Sequence, residues 1–99
     1  MFKSESIVEL EGLLRQDQIN LIDVRESFEY ETGHVPSAVN MPLSHFEETY
    51  QTLDKNKSYH IICQSGGRSA QAATFLVNQG YKDVTNVEGG TGAWTGKLD

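Results

Sequence analysis

The chain of 99 residues contains one cysteine, two prolines and one tryptophan. A single cysteine closes no internal disulfide, so the sequence predicts a reducing compartment, the cytoplasm. Metal ligands are equally scarce. His34, His45 and His60 have no cysteine pair and no close histidine spacing to join, so no metal site is predicted. Apolar runs extend only a few residues, far short of a membrane span. The start, Met1-Phe2-Lys3-Ser4-Glu5, lacks the basic-then-apolar pattern of a signal peptide. Positive charge is also in deficit: eight Lys and Arg face fourteen Asp and Glu, for a net charge of −6. The basic residues are scattered, which argues against a phosphate-binding face and therefore against nucleic acid as a partner. The acidic excess is read as a solubility device. An anionic ligand would have to be drawn in by local donors.

With 37% apolar and 22% charged residues, the composition is that of an ordinary globular protein. The length predicts a single domain over residues 1–99 with one core. Phe2 to Glu5 fits a first strand, and Ser6 with Glu9 fits a capping box that opens a helix to about Gln16. Residues 20–24 form a short apolar run suited to a buried strand. Ser27 to Thr32 suits one or two helical turns ended by Gly33, and residues 38–40 a minimal strand. Ser44 with Glu47 matches a second capping box, opening a helix to about Gln51. Ser58 to Cys63 is the expected central strand, Arg68 to Gln79 the clearest helix, stopped by Gly80, and residues 84–87 a last strand. Strands alternating with helices predict an α/β fold, a mainly parallel central sheet flanked by helices on both faces.

The one cysteine stands at the carboxyl end of that central strand, before Gln64-Ser65-Gly66-Gly67-Arg68-Ser69. Open parallel sheets bind ligands beyond the carboxyl ends of their strands. A thiol at the start of a helix, with an arginine close behind, is placed to lose its proton. A lone cysteine in a small domain is usually a buried hydrophobe, but packing requires no Gly-Gly-Arg-Ser sequence after it. Gly66 and Gly67 predict positive φ and a nest of inward N–H groups. Gln64 and Ser65 are expected to supply amides with side chains at the rim, and Ser69 to steady the loop-to-helix junction. Arg68 has two readings: a partner for an anionic substrate, or an ion pair with an acidic neighbour. The spacing disfavours a cysteine phosphatase. Four residues separate Cys63 from Arg68, where that chemistry uses Cys-x5-Arg, and Ile62 replaces the histidine that commonly precedes its nucleophile.

Three further blocks add to this loop: Leu21-Ile22-Asp23-Val24-Arg25-Glu26, Gly33-His34-Val35-Pro36-Ser37-Ala38-Val39-Asn40-Met41-Pro42, and Glu88-Gly89-Gly90 followed by Trp94. In that order, and over essentially the whole chain, they resemble a single-domain rhodanese of the sulfurtransferase family. The departures are small. Ser37 and Val35 stand where glycine and isoleucine are frequent, and Thr91-Gly92 replaces bulkier residues, which is expected to loosen the pocket wall.

The resemblance implies a rhodanese-like fold and sulfane-sulfur transfer through a Cys63 persulfide. Gln64, Ser65, Gly66, Gly67, Arg68 and Ser69 would bind the substrate, and no metal or organic cofactor is implied. The partners implied are a small anionic donor such as thiosulfate or a persulfide, and a thiol or cyanide acceptor. An alternative is a relay module that passes persulfide between protein partners with little small-molecule turnover. The thiolate requirement sets a target: a pKa about one to two units below the about 8.5 of free cysteine, from helix and loop amides without a histidine base. Asp23 and Arg25 are read as structural, with Asp23 steadying the Cys63 loop as a lesser possibility. His34 is read as a turn residue bonding the backbone, and Trp94 as a core-edge anchor.

Overall fold

In this computed structural model, which covers residues 1–99, the elements run β1 (Lys3–Glu5), α1 (Ile7–Gln16), β2 (Leu21–Asp23), α2 (Ser27–Glu31), β3 (Val39–Asn40), α3 (Phe46–Thr49), β4 (Ser58–Ile62), α4 (Gly67–Asn78) and β5 (Asp83–Val87). The five strands form one sheet in the order β1-β5-β4-β2-β3, with every pairing parallel. Ile22 lies opposite Ile61, and Ile61 opposite Asn86, so β4 is flanked on both sides. All strands therefore end at one edge of the sheet, and Cys63 leaves from its middle.

The two-residue period of β4 divides the core. Tyr59, Ile61 and Cys63 share one cluster with Phe46 of α3 and Ala72, Ala73 and Leu76 of α4. Ile62 joins the opposite cluster with Ile7 and Leu10 of α1, Leu21, Val35, Ala38 and Val87. Helices cover both faces, as the α/β pattern requires.

Local signals set several boundaries. The Ser6–Glu9 capping box forms: Glu9 N–H donates to Ser6 Oγ at 3.1 Å, and Ser6 N–H to Glu9 Oε1 at 2.9 Å. The expected box at Ser44 does not. The Ser44 hydroxyl instead donates to Glu26 Oε1 at 2.7 Å, across 18 residues, and the segment folds as a 3₁₀ turn (Leu43–His45), α3 and a second 3₁₀ turn (Tyr50–Thr52). A distant carboxylate outcompeted the local one. The helix expected from Arg68 starts one residue earlier, at Gly67.

Between β2 and α2 the chain turns on a buried ion pair. Asp23 is wholly buried and Arg25 is 3% exposed. The carboxylate accepts from the Arg25 backbone N–H at 2.9 Å, from Nε at 3.1 Å and from Nη2 at 2.9 Å. Nη2 also donates to the Gly33 carbonyl at 2.8 Å, which ties both ends of α2 to the end of β2. No helix is long and apolar enough to cross a membrane.

Candidate active site

Cys63 follows β4 directly, and its loop doubles back over its own side chain. Gly66, at φ 108°, takes a left-handed conformation and caps α4. Its N–H donates to Cys63 Sγ at 3.0 Å. Of the two glycines expected at positive φ, only Gly66 has it. Gly67 is already helical, and nothing lies within 4 Å of where its Cβ would stand. Ser69, fully buried in the first turn of α4, places Oγ 3.3 Å from Cys63 Sγ and 3.1 Å from the Gly66 carbonyl. The hydroxyl has one proton. Given to Gly66 O, it leaves Oγ free to accept from a Cys63 thiol; turned to sulfur, it stabilises a thiolate.

Cys63 is 1% exposed, while Gln64 and Ser65 beside it are exposed. Burial pushes the thiol pKa up. The Ser69 hydroxyl and the backbone N–H groups of Ser69, Gly66 and Ser65 pull it down and prevail, so it lies below the ordinary value. The direction agrees with the requirement set by the sequence, and the sources are Ser69 and its neighbouring amides. Gln64 contributes differently. Its carbonyl accepts from Gly92 N–H at 3.0 Å, which ties the loop to the segment after β5.

That segment is the back wall of the loop. Thr91 donates to the Cys63 carbonyl with its N–H at 2.8 Å and its hydroxyl at 3.2 Å. Gly90, at φ 59°, lies so close that a Cβ would come within 2.4 Å of Cys63 O and 2.6 Å of Gln64 O. No side chain fits there. Thr91 is buried, and a Cβ on Gly92 would come within 3.1 Å of Gln64 O, so residues 91–92 also pack directly on the loop.

Arg68 points to an acidic neighbour. Its Nη1 donates to Glu29 Oε1 at 2.6 Å and its Nη2 to Oε2 at 3.0 Å. The guanidinium holds the Glu29 carboxyl down at about 2, and Glu29 in turn raises Arg68. Glu29 Oε1 also caps α2, accepting from Glu26 N–H at 3.0 Å. Asp23 does not reach the loop, because Arg25 occupies its carboxylate.

The histidines are all engaged elsewhere. His34 stacks on Tyr30 with ring centroids 3.7 Å apart and sets Nδ1 3.0 Å from Tyr30 O. His60 pairs with Glu5 at 2.7 Å, and His45 lies 3.7 Å from Glu48. No three His, Cys, Asp or Glu side chains gather as they would around a metal. Trp94 packs at the edge of the second core cluster. The residues missed by sequence reasoning are Glu29 and Asn86, whose Nδ2 lies 3.4 Å from Gly66 O; that reasoning places Thr91 at the wall, but not as a donor to the Cys63 carbonyl. Glu29 and Asn86 sit far from the loop in sequence and match no local motif.

The model of the Rhodanese-like domain family matches residues 6–97. Among relatives, "Putative sulfur carrier protein YrkF" of Bacillus subtilis is 43% identical over 83 residues, covering 84% of this chain but 45% of that protein. The chain thus spans about half the length of that relative. Thiosulfate sulfurtransferase GlpE of Pseudomonas syringae pv. syringae is 33% identical over 81 residues, covering 82% of this chain and 76% of that protein. A crystal structure of a rhodanese-like domain protein from Staphylococcus aureus superposes with a TM-score of 0.90 at 34% identity, covering 99% of this chain and 97% of that one. In sequence and in fold, the chain belongs to the rhodanese-like family.

Proposed function

We propose that the chain is a sulfurtransferase in which Cys63 carries the sulfur. The observation that carries this reading is the Cys63 sulfur itself, enclosed by the Gly66 N–H and the Ser69 hydroxyl with its pKa lowered. A thiolate held by hydrogen bonds is a nucleophile that needs no general base. The Cys63 thiolate attacks the outer sulfur of thiosulfate. An S–S bond forms to Sγ, the bond between the two donor sulfurs breaks, and its electron pair leaves with sulfite. A low-molecular-weight persulfide reacts in the same way and releases its thiolate. The Cys63 persulfide is again a monoanion, stabilised by the same amides of Ser65, Gly66 and Ser69, with Gln64, Gly67 and Arg68 completing the mouth. An acceptor, cyanide or a thiolate, then attacks the outer sulfur and returns Cys63 to its starting state. The name of the GlpE relative supports thiosulfate as one donor.

A relay reading, in which sulfur passes between protein partners with little small-molecule turnover, is favoured by the exposed Gln64 and Ser65 beside the thiol and by the name of the YrkF relative. Intact-mass spectrometry after incubation with thiosulfate or a small persulfide tests the common core of both. One sulfur atom should be added at Cys63 and removed by cyanide. An unchanged mass with every donor contradicts it.

A further inference from the structure

Beside the loop lies a closed ion pair between Arg68 and Glu29. Arg68 is the second residue of α4, next to the Ser69 that bonds the Cys63 sulfur, and the charge of Cys63 acts on it. The other cations are placed elsewhere. Arg25 is buried against Asp23, Lys3 pairs with Asp83 and Arg15 with Glu11. Lys55, Lys57 and Lys82 precede β4 and β5, at the opposite edge of the sheet from Cys63, and Lys97 is exposed in the segment that follows Trp94, off the loop helix. The cation carried by the loop helix is therefore Arg68, and both of its terminal nitrogens are taken by the two oxygens of Glu29.

We propose that Glu29 sets the donor preference of Cys63: it holds Arg68 in a closed pair that a dianionic donor such as thiosulfate has to break, whereas the persulfide of a small thiol delivers its sulfur with the pair intact. This rests on the sulfur-transfer reading above and names the substrate class it favours. Thiosulfate brings two negative charges beside the Cys63 thiolate and the Glu29 carboxylate, so it needs a counter-cation. A thiol persulfide brings at most one, which the loop amides can accommodate. Because the pair is fork-to-fork and only partly exposed, Arg68 is free for a small fraction of the time. Thiosulfate affinity is reduced by that fraction. Glu29 stays ionised through the whole working pH range, since Arg68 keeps its carboxyl at about 2, so mild acid does not open the pair.

Glu29→Gln tests this cleanly. Glutamine keeps the oxygen that accepts from Glu26 N–H, so the α2 cap survives, while the charge holding Arg68 is gone. Initial rates are measured with thiosulfate and with cysteine persulfide as donors. The variant should lower the thiosulfate KM by about tenfold with kcat changed less than about twofold, and leave the persulfide KM within about twofold. In an Arg68→Gln background the same Glu29 substitution should leave the thiosulfate KM unchanged, because the effect runs through Arg68. Equal changes for both donors, or a gain that survives Arg68→Gln, would mean that Glu29 only props α2 and would overturn the proposal. If the wild type takes sulfur from both donors and Glu29→Gln leaves their ratio unaltered, the gate is wrong and sulfur transfer stands. If the wild type takes sulfur from neither, both fall.

Discussion

Cys63→Ser is expected to abolish thiocyanate formation from thiosulfate and cyanide, lowering the rate by at least about a thousandfold, to the uncatalysed level. A serine oxygen at position 63 would still accept from Gly66 N–H and meet Ser69, so the loop should keep its shape. What it cannot do is store sulfane sulfur, because its hydroxyl keeps its proton near neutral pH and offers no sulfur with which to form an S–S bond. Circular dichroism and thermal melting close to wild type would show that the loss is chemical. The same variant separates the two readings of function when it is set beside the wild type. Robust wild-type turnover, lost in the variant, identifies a small-molecule enzyme. Negligible wild-type turnover, with sulfur passing from Cys63 to a protein thiol, identifies a relay.

The largest effect on stability is expected at Arg25. Its removal leaves the wholly buried Asp23 carboxylate with the Arg25 backbone N–H as its remaining hydrogen-bond donor, and frees the Gly33 carbonyl. Breaking a buried pair by deleting one partner costs about 3–5 kcal/mol. The total stability of a small domain is about 5–15 kcal/mol, so Arg25→Ala should remove a large share of it. Urea unfolding should show the midpoint falling steeply with the slope nearly unchanged. A double substitution, Asp23→Leu with Arg25→Met, should recover part of the loss, because no unpaired charge is left inside. A single Arg25→Ala variant that melts like the wild type would show that the pair is not holding the turn before α2.

What could be read from the sequence is what depends on near neighbours. The Ser6–Glu9 box, β4 with its alternating faces, and the glycine that lets the chain double back over Cys63 are encoded within a few residues, and the structure has them. The site's supports are encoded between distant segments. Glu29 reaches Arg68 across 39 residues, Thr91 reaches the Cys63 carbonyl across 28, and Glu5 reaches His60 across 55. A parallel sheet brings such pairs together only through its crossover connections, and no spacing rule along the chain anticipates them. Ser44 shows the same physics as a failure. Its local pattern matched a capping box, but the fold offered it Glu26. The direction of Arg68 was open in the sequence for the same reason, since its partner lies on another helix.

The central claim is that hydrogen bonds from the Ser65–Ser69 loop hold the only sulfhydryl of this chain as an anion despite its burial. Its most direct test is the pH dependence of Cys63 ionisation, followed by the ultraviolet absorbance of the thiolate and checked by the rate of alkylation. The account predicts an ionisation midpoint below the about 8.5 at which free cysteine titrates, and displaced upward in Ser69→Ala. A wild-type midpoint at or above that of free cysteine would contradict it.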